Sequence, residues 1–152
     1  MAKILITGAS GFLGSHIVET LLEAENVVSC VVSRGSDMWR LEDVLDKLNI
    51  LEIDYADASQ WMEAVATVKP DAVIHTGWQG VRGADRNELF QFDNIKVHVA
   101  LADACTLHTV DTFIGLGSQM EYGPKSGPIS EKAETLPTTN YGLAKLCALK
   151  AS

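Results

Sequence analysis

Short apolar runs alternate along the chain with segments whose apolar residues recur at helical spacing. The runs predict five strands, at about residues 3–7, 27–33, 49–53, 71–76 and 111–116. Between them, helical spacing predicts helices at about residues 12–24, 37–47, 58–68, 84–107 and 139–151. Strands that are apolar almost throughout are typical of a parallel sheet covered on both faces. The pattern therefore predicts an α/β fold with a doubly wound parallel sheet.

The first predicted strand runs directly into a glycine-rich turn, Thr7-Gly8-Ala9-Ser10-Gly11-Phe12-Leu13-Gly14, which is followed by a predicted helix. This arrangement places unpaired backbone N–H groups and the positive end of a helix dipole beside a bound anion. Glycine permits the tight turn, the approach of a pyrophosphate and close packing of helix on strand. The turn predicts a dinucleotide site, although its spacing is GxxGxxG and such turns are also found with a purely structural role.

Composition is that of one globular domain. The chain has 152 residues, 47% of them apolar and 21% charged, and is long enough to bury about two-thirds of its unfolded surface. No apolar run approaches the roughly 18 residues that cross a bilayer, and we expect a cytoplasmic protein without membrane contact. The formal net charge of −8 argues against nucleic-acid binding, which needs clustered lysine and arginine.

Cysteine and histidine are not spaced like metal ligands. Cys30, Cys105 and Cys147 lie far apart among apolar neighbours, which predicts reduced packing residues rather than disulfides. Neither CxxC nor HExxH occurs, so we predict no metal site. His75, inside a predicted strand, is interpreted as a hydrogen-bonded structural residue.

A tyrosine and a lysine stand four residues apart at the start of the last predicted helix, in Tyr141-Gly142-Leu143-Ala144-Lys145. Side chains at this spacing share one helix face, and a nearby ammonium favours phenolate over phenol. Ser118 follows the fifth strand, in a long loop over residues 117–139, where its hydroxyl can bind a substrate oxygen while Tyr141 moves a proton. The set suits a carbonyl/alcohol redox step. The structural alternatives are a buried tyrosine, a solvated lysine and loop capping by the serine.

In their order along the chain, these motifs resemble the extended short-chain dehydrogenase/reductases, specifically the NAD-dependent epimerase/dehydratase family. The resemblance covers almost the whole chain and rests on Gly8, Gly11, Gly14, Val73-Ile74-His75, Asn94, Ser118, Tyr122-Gly123, Tyr141 and Lys145. It implies a Rossmann fold. Since many members act on sugar nucleotides, it also implies hydride transfer at a hydroxyl or ketone carbon of a nucleotide sugar.

The resemblance implies a role for each matching residue. Tyr141 is the general acid and base, Lys145 supports it and binds the nicotinamide ribose, and Ser118 orients the substrate oxygen. Asn94 matches a position that helps to hold the lysine through water. The other implied cofactor contacts lie in the glycine turn and after the third and fourth strands: Gly8, Ser10, Gly11, Phe12, Leu13, Gly14, Asp54, Tyr55, Thr76, Gly77 and Trp78.

Two of these positions carry further expectations. Asp54 matches a residue that contacts the adenine amino group, with a helix cap as its structural alternative. The Thr76-Gly77-Trp78 segment resembles a loop of small residues that runs along the cofactor.

The end of the second predicted strand bears on the choice of cofactor. An NAD-preferring site places an acid there, roughly 20 residues past the glycines, to bind the ribose 2′-hydroxyl. No acid occurs from Val27 through Ser36, and Arg34 can pair with a 2′-phosphate, helped by Ser33 and Ser36. The sequence favours NADP(H); NAD(H) stays possible, with Arg34 stacked on adenine or facing solvent.

Family members continue past the helix that carries Tyr141 into a substrate-binding domain. We therefore expect residues 1–152 to form an NAD(P)-binding Rossmann domain that is truncated after this helix, with the C-terminal substrate domain missing. In the family, the last two predicted helices, 84–107 and 139–151, form a four-helix dimer interface. We expect a homodimer through their apolar residues, which include Leu89, Phe90, Phe92, Ile95, Val97, Val99, Leu101, Leu143, Ala144, Leu146, Cys147, Ala148 and Leu149.

Two classes of function remain at this point. The first is an NAD(P)-dependent epimerase, dehydratase or reductase. An additional acid/base pair would mark a dehydratase, and Glu121 stands at a position that suggests one, but it lacks the adjacent Asp and is as easily a solvated loop residue; this favours an epimerase or a reductase. The second is a non-catalytic dinucleotide-binding module, or an inactive fragment of the enzyme.

Overall fold

The computed structural model describes residues 1–151. Five parallel strands form one sheet: β1 (Lys3–Thr7), β2 (Val27–Ser33), β3 (Asn49–Ile53), β4 (Ala72–His75) and β5 (Thr112–Gly115). Their order in the sheet is β3-β2-β1-β4-β5, which is the Rossmann order. Successive strands are added on one side of β1 up to β3 and on its other side from β4, so the strand order reverses between β1 and β4 while all strands stay parallel. The predicted α/β class is confirmed. Ser152, the last residue of the predicted domain, lies outside the described residues.

Four α-helices accompany the strands: α1 (Phe12–Glu23), α2 (Ala58–Val68), α3 (Asp93–Leu107) and α4 (Asn140–Ala151). None of the helices in this part of the chain is long and apolar enough to cross a membrane.

Two helix predictions are wrong in detail. The segment predicted at 37–47 is a 3₁₀ helix over Trp39–Lys47. The helix predicted at 84–107 is α-helical only from Asp93, because the extended backbone of Glu88 (φ −73°, ψ 149°) separates two short 3₁₀ segments, Gly83–Asn87 and Leu89–Phe92. Apolar spacing does not register a break at a polar residue.

The chain divides into two compact units. The first comprises residues 1–77 and 100–115 and contains the sheet. Its core joins the glycine turn, α1 and the 3₁₀ segment to the sheet through Ile6, Ala9, Val18, Val28, Cys30, Val32 and Leu41. The second unit comprises residues 78–99 and the chain from Leu116 onward, and it contains α4.

The structural interpretation of His75 and the prediction that Cys30 and Cys105 are packing residues are confirmed. His75 is 2% exposed, and its Nδ1 shares a 2.7 Å hydrogen bond with Thr7 Oγ1. Cys30 and Cys105 are buried, and burial raises the pKa of their thiols to about 12 and about 11. Cys147 is exposed, so its prediction as a packing residue is wrong. The residues that α4 buries are Gly142, Ala144, Lys145 and Ala148.

Candidate functional site

The turn after β1 leaves no room for side chains between β1, β4 and the start of α1. Gly8 has a left-handed backbone (φ +68°), and a Cβ there would lie 2.6 Å from the backbone nitrogen of Gly77. A Cβ on Gly14 would overlap the Gly8 carbonyl oxygen, so α1 packs directly on the turn. This backbone-lined cradle fits the close approach of a pyrophosphate.

The start of α1 suits an anion. Gly11 precedes the helix and donates its N–H to the Gly8 carbonyl (3.0 Å), while α1 has no side-chain cap and no acidic residue in its first turn. Phe12 and Leu13 are 71% and 48% exposed at this helix end. The first N–H groups of the helix are therefore available to a phosphate.

The end of β4 closes onto the end of β1. The Thr76 hydroxyl donates to the Thr7 carbonyl (2.6 Å), and the Gly77 N–H donates to Thr7 Oγ1 (3.1 Å). These bonds lie at the point where the strand order reverses, which is where ligands bind in open parallel sheets. The structure thus brings Thr76 and Gly77 together with the glycine turn.

Two arginines lie on the β2 side of the turn. Arg34 follows β2 and is exposed, and its N–H is fixed by a 3.0 Å bond to the Ile53 carbonyl. Arg40 Nη1 donates to the Ser10 carbonyl (3.4 Å), with its guanidinium 4.3 Å from the Trp39 ring centroid. Arg40 belongs to no motif in the sequence, and its only signal there is a second cation six residues beyond Arg34.

The residues after β3 form a turn that leads into α2. Asp54 is exposed, and its Oδ1 accepts the N–H of Ala56 (3.0 Å). The cap of α2 is Asp57, so the structural alternative of a helix cap for Asp54 is wrong. Tyr55 packs edge to face against Trp61, with ring centroids 5.3 Å apart, and its carbonyl accepts the indole N–H (3.0 Å). The Asp54 carboxylate stabilises the turn and remains open to solvent.

Lys145, in the second unit, is 7% exposed, so the alternative of a solvated lysine is wrong. Its Nζ donates to the Leu116 carbonyl (2.8 Å) and lies 3.8 Å from the Trp78 ring centroid. Burial lowers the pKa of Lys145 to about 8, against an opposing effect of the Glu121 carboxylate. Burial also lowers the pKa of His98, with a smaller contribution from Lys145.

Tyr141 is half-buried in the first turn of α4. Its ring lies edge to face against Trp78, with centroids 6.1 Å apart at 84°. The Arg86 guanidinium lies 5.9 Å from the Tyr141 ring centroid, and Arg86 Nε donates to the Val81 carbonyl (2.8 Å). Tyr141 and Lys145 therefore both contact Trp78, as their spacing of one helical turn permits.

Ser118 and Glu121 form a capping box around a 3₁₀ segment, Gln119–Tyr122. Ser118 Oγ accepts the Met120 N–H (3.2 Å), and the Glu121 carboxylate accepts the Ser118 N–H (2.6 Å). The serine does cap the loop, yet its hydroxyl hydrogen is not used in this bond. Glu121 is 4% exposed, so the alternative of a solvated loop residue is wrong. The S-x-x-E spacing is the sequence signal for this burial.

Asn94 and Gln91 hold the chain around Trp78. Asn94 is 1% exposed; its Oδ1 accepts the Gln79 N–H (2.8 Å), and its Nδ2 donates to the Gln79 carbonyl (3.2 Å). Gln91 is fully buried and accepts the Trp78 indole N–H (2.9 Å). The link from Asn94 to the lysine through water stays a prediction. Gln91 was missed because helical spacing alone does not reveal a polar side chain that turns inward.

Each unit thus holds one part of the expected chemistry. The first has a cradle of backbone groups and small residues that would fit a dinucleotide. The second has a phenol, a buried ammonium and a hydroxyl, which are the groups required to move a proton at a substrate oxygen.

Comparisons with known proteins agree with this chemistry. The family described as "NAD dependent epimerase/dehydratase family" matches residues 4–151. A Bacillus subtilis protein called "Uncharacterized UDP-glucose epimerase YtcB" is 32% identical, over 97% of this chain and 50% of its own length. A UDP-glucose 4-epimerase of Yersinia enterocolitica is 33% identical, over 95% of this chain and 46% of its own length.

A solved structure extends the comparison. The Bordetella bronchiseptica enzyme WbmG, in complex with NAD and UDP, superimposes with a TM-score of 0.85 at 25% identity, over 99% of this chain and 48% of its own. The chain spans about half the length of the relatives it matches. With 148 of its residues inside the matched range of 4–151, the chain belongs to the NAD-dependent epimerase/dehydratase family, as the sequence resemblance predicts.

Proposed function

We propose that residues 1–152 are the NAD(P)-binding domain of an enzyme that transfers hydride at a hydroxyl or ketone carbon of a nucleotide sugar. The observation that carries this proposal is the buried Lys145 one helical turn from Tyr141, with both side chains against the same indole. Relatives named as UDP-glucose epimerases, and a solved relative with NAD and UDP, support UDP-hexoses as the substrates to test first.

The residues of the second unit divide the proton chemistry between them. Tyr141 takes the proton of the sugar hydroxyl in the oxidative direction and returns it in the reductive direction. Lys145 supports Tyr141 with a positive charge one helical turn away, and the Ser118 hydroxyl hydrogen binds the substrate oxygen. The nicotinamide, when bound, supplies the acceptor and donor of the hydride.

Epimerisation or reduction fits the site better than dehydration. Removal of water needs a further acid/base pair in addition to the tyrosine. The Glu121 carboxylate is buried and already accepts the Ser118 N–H (2.6 Å), so its place in the loop is accounted for by the capping box. We therefore propose an epimerase or a reductase.

For the cofactor we propose NADP(H) in preference to NAD(H). The exposed Arg34 follows β2 where an NAD-preferring site places an acid, and Arg40 adds a second cation that is held at the glycine turn by the Ser10 carbonyl. Because a solved relative holds NAD, the two cofactors must be compared directly.

Substitution of the tyrosine tests the function. In the complete protein that carries this chain, Tyr141→Phe should lower turnover of UDP-hexoses by at least about 100-fold, because the proton then has no carrier. Cofactor affinity, measured by calorimetry, should change less than about threefold. The matched control is Tyr122→Phe. It removes a hydroxyl that donates to the Glu131 carbonyl (3.4 Å), and it should not affect turnover. Retained turnover in Tyr141→Phe would remove this residue from the mechanism. Cofactor binding without turnover in the unmodified protein would favour a non-catalytic module.

We also propose a homodimer through the last two helices. Leu143 and Leu149 of α4 are 41% and 56% exposed, and such side chains gain free energy when a partner covers them. Val97 and Leu101, which the sequence placed in the same interface, are buried within their own chain and do not contribute. Sedimentation velocity should show a dimer that Leu143→Glu dissociates and Ile129→Glu, on a loop, does not.

The cytoplasm is the compartment that we propose for this protein. Unpaired thiols persist where glutathione and thioredoxin keep them reduced, and Cys30 and Cys105 are buried free thiols. Fractionation of cells with an antibody against the chain tests this location.

A further inference from the structure

Trp78 contacts both members of the proposed Tyr141–Lys145 pair. Lys145 Nζ lies 3.8 Å from the indole centroid, and the Tyr141 ring meets the indole edge to face at 6.1 Å. An ammonium over an aromatic face is attracted by the negative charge of that face, and indole is the strongest such partner. Water screens this attraction little, because Lys145 is 7% exposed. The indole therefore favours the charged lysine at this position.

Gln91 fixes the orientation of the indole. Its Nε2 donates to the carbonyls of Gly80 (2.7 Å) and Asp85 (2.9 Å), and two acceptors at one end of the amide identify that end as the nitrogen. The other end is then an acceptor, and it takes the Trp78 indole N–H (2.9 Å). The Gln91 side chain, which makes all three hydrogen bonds, has no exposed surface. Loss of any of these hydrogen bonds would therefore leave a buried polar group unpaired.

The backbone next to the indole is held as well. Asn94, one helical turn beyond Gln91, binds both the N–H and the carbonyl of Gln79. Gln91 therefore holds the indole N–H of Trp78, and Asn94 holds the backbone of the next residue, Gln79. Because both ends of the Trp78 side chain are held, the face of its indole keeps one orientation.

The charges that face Lys145 come from other elements. Glu121, on the Gln119–Tyr122 segment, raises the pKa of Lys145, whereas burial lowers it more strongly. His98 of α3 also responds to Lys145, but burial is the larger cause of its lowered pKa. The Leu116 carbonyl accepts one ammonium hydrogen. The indole thus adds to a carboxylate and a carbonyl that favour the charged lysine against burial.

We propose that Trp78 is a positioning residue whose indole holds the Lys145 ammonium one helical turn from Tyr141, and that Gln91 acts through Trp78 by orienting the indole. The inference rests on the proposed function, in which Lys145 supports proton transfer by Tyr141. An aliphatic side chain in place of Trp78 would exclude water equally well but would offer no negatively charged face.

Fluorinated tryptophan tests the electrostatic part without a change of shape. Fluorine withdraws charge from the ring face, so tryptophans of increasing fluorine content should lower the Lys145 pKa stepwise, by roughly half a unit to one and a half units in total. The pKa is read from NMR titration of protein with carbon-labelled lysine, with the Lys145 signal assigned from its loss in Lys145→Arg. A Lys145 pKa that does not change across the series would overturn the proposal.

Point variants test the positioning part. Trp78→Phe keeps an aromatic face, so the Lys145 pKa should stay close to its wild-type value. Trp78→Leu removes the face and should lower the Lys145 pKa by at least about half a unit. Gln91→Leu should lower it in the same direction, and Gln60→Leu, which removes a bonded glutamine from α2, should leave it unchanged. Equal Lys145 pKa values in Trp78→Phe and Trp78→Leu would contradict the proposal.

The two proposals fail separately. If the fluorinated series shifts the Lys145 pKa while Tyr141→Phe retains turnover, the proposed function is wrong and the role of Trp78 in holding Lys145 stands. If Tyr141→Phe loses turnover while the Lys145 pKa is the same with every fluorinated tryptophan, the proposed function stands and the role of Trp78 is wrong. In an active enzyme, the alkaline limb of the kcat profile should move to lower pH in step with the measured pKa.

Discussion

Replacement of Lys145 by methionine should change how the stability of the chain depends on pH. Lys145 is buried, and its pKa falls from 10.5 to about 8 on folding. Between these two values the unfolded chain binds more protons than the folded chain does. The free energy of unfolding therefore rises with pH across this window, because a charged lysine no longer has to be held in the interior.

The size of the effect follows from the pKa difference. A fall of about 2.5 pKa units corresponds to roughly 3 kcal/mol, since each unit is worth about 1.4 kcal/mol. Lys145→Met keeps a long unbranched side chain and removes the titrating group. Between pH 7 and pH 10.5, the free energy of unfolding of the wild type should therefore rise by roughly 3 kcal/mol relative to that of Lys145→Met.

Urea unfolding followed by tryptophan fluorescence, at half-unit steps of pH, measures this difference. Alkaline titration of the buried Cys30 and Cys105, whose pKa values are raised to about 12 and about 11, occurs in both proteins and cancels. Lys150→Met is the matched control, because Lys150 lies exposed on the same helix and its removal should produce no such trend. If the difference between wild type and Lys145→Met is flat to within about 0.5 kcal/mol, burial of a charged lysine is not the cause that we assign.

Two further predictions concern the first unit. Arg34→Ala should weaken NADPH binding by about 10- to 100-fold, the worth of a charge-assisted bond to phosphate, and leave NADH binding within about twofold. Calorimetry with Arg82→Ala as the exposed control checks this, and equal losses for both cofactors would defeat the 2′-phosphate assignment. The buried Cys30 and Cys105 should resist a thiol reagent at pH 8 until urea unfolds the chain, because burial raises their pKa and blocks access; rapid reaction of either thiol in the native protein would count against this packing.

Much of the sheet is readable in the sequence. The bounds predicted for β1, β2 and β3, and for α2, coincide with those observed. The reason is that the signal for a strand lies within the strand itself. A short run rich in Val and Ile between two turns has few other ways to bury its side chains, so it can be recognised without knowledge of the strands it pairs with. The glycine turn is equally local, since Gly8 requires a left-handed backbone wherever the rest of the chain lies.

The environment of the polar side chains was decided only by the tertiary structure. Glu121 lies in the loop after β5, yet its carboxylate is buried, where it accepts the Ser118 N–H and interacts electrostatically with Lys145. Gln91 is buried because the carbonyls of Gly80 and Asp85 and the Trp78 indole meet its amide. A buried polar group is stable only when its partners converge from other parts of the chain.

The sequence by itself therefore determined the order of elements, the glycine turn after β1 and the family. The tertiary structure decided that Lys145 lies against an indole instead of in water, and which residues hold that indole in place. The physical reason is the range of the interactions. Apolar period and backbone conformation are properties of neighbouring residues, whereas the desolvation of a charge and the hydrogen bonds that offset it depend on residues far apart in the chain.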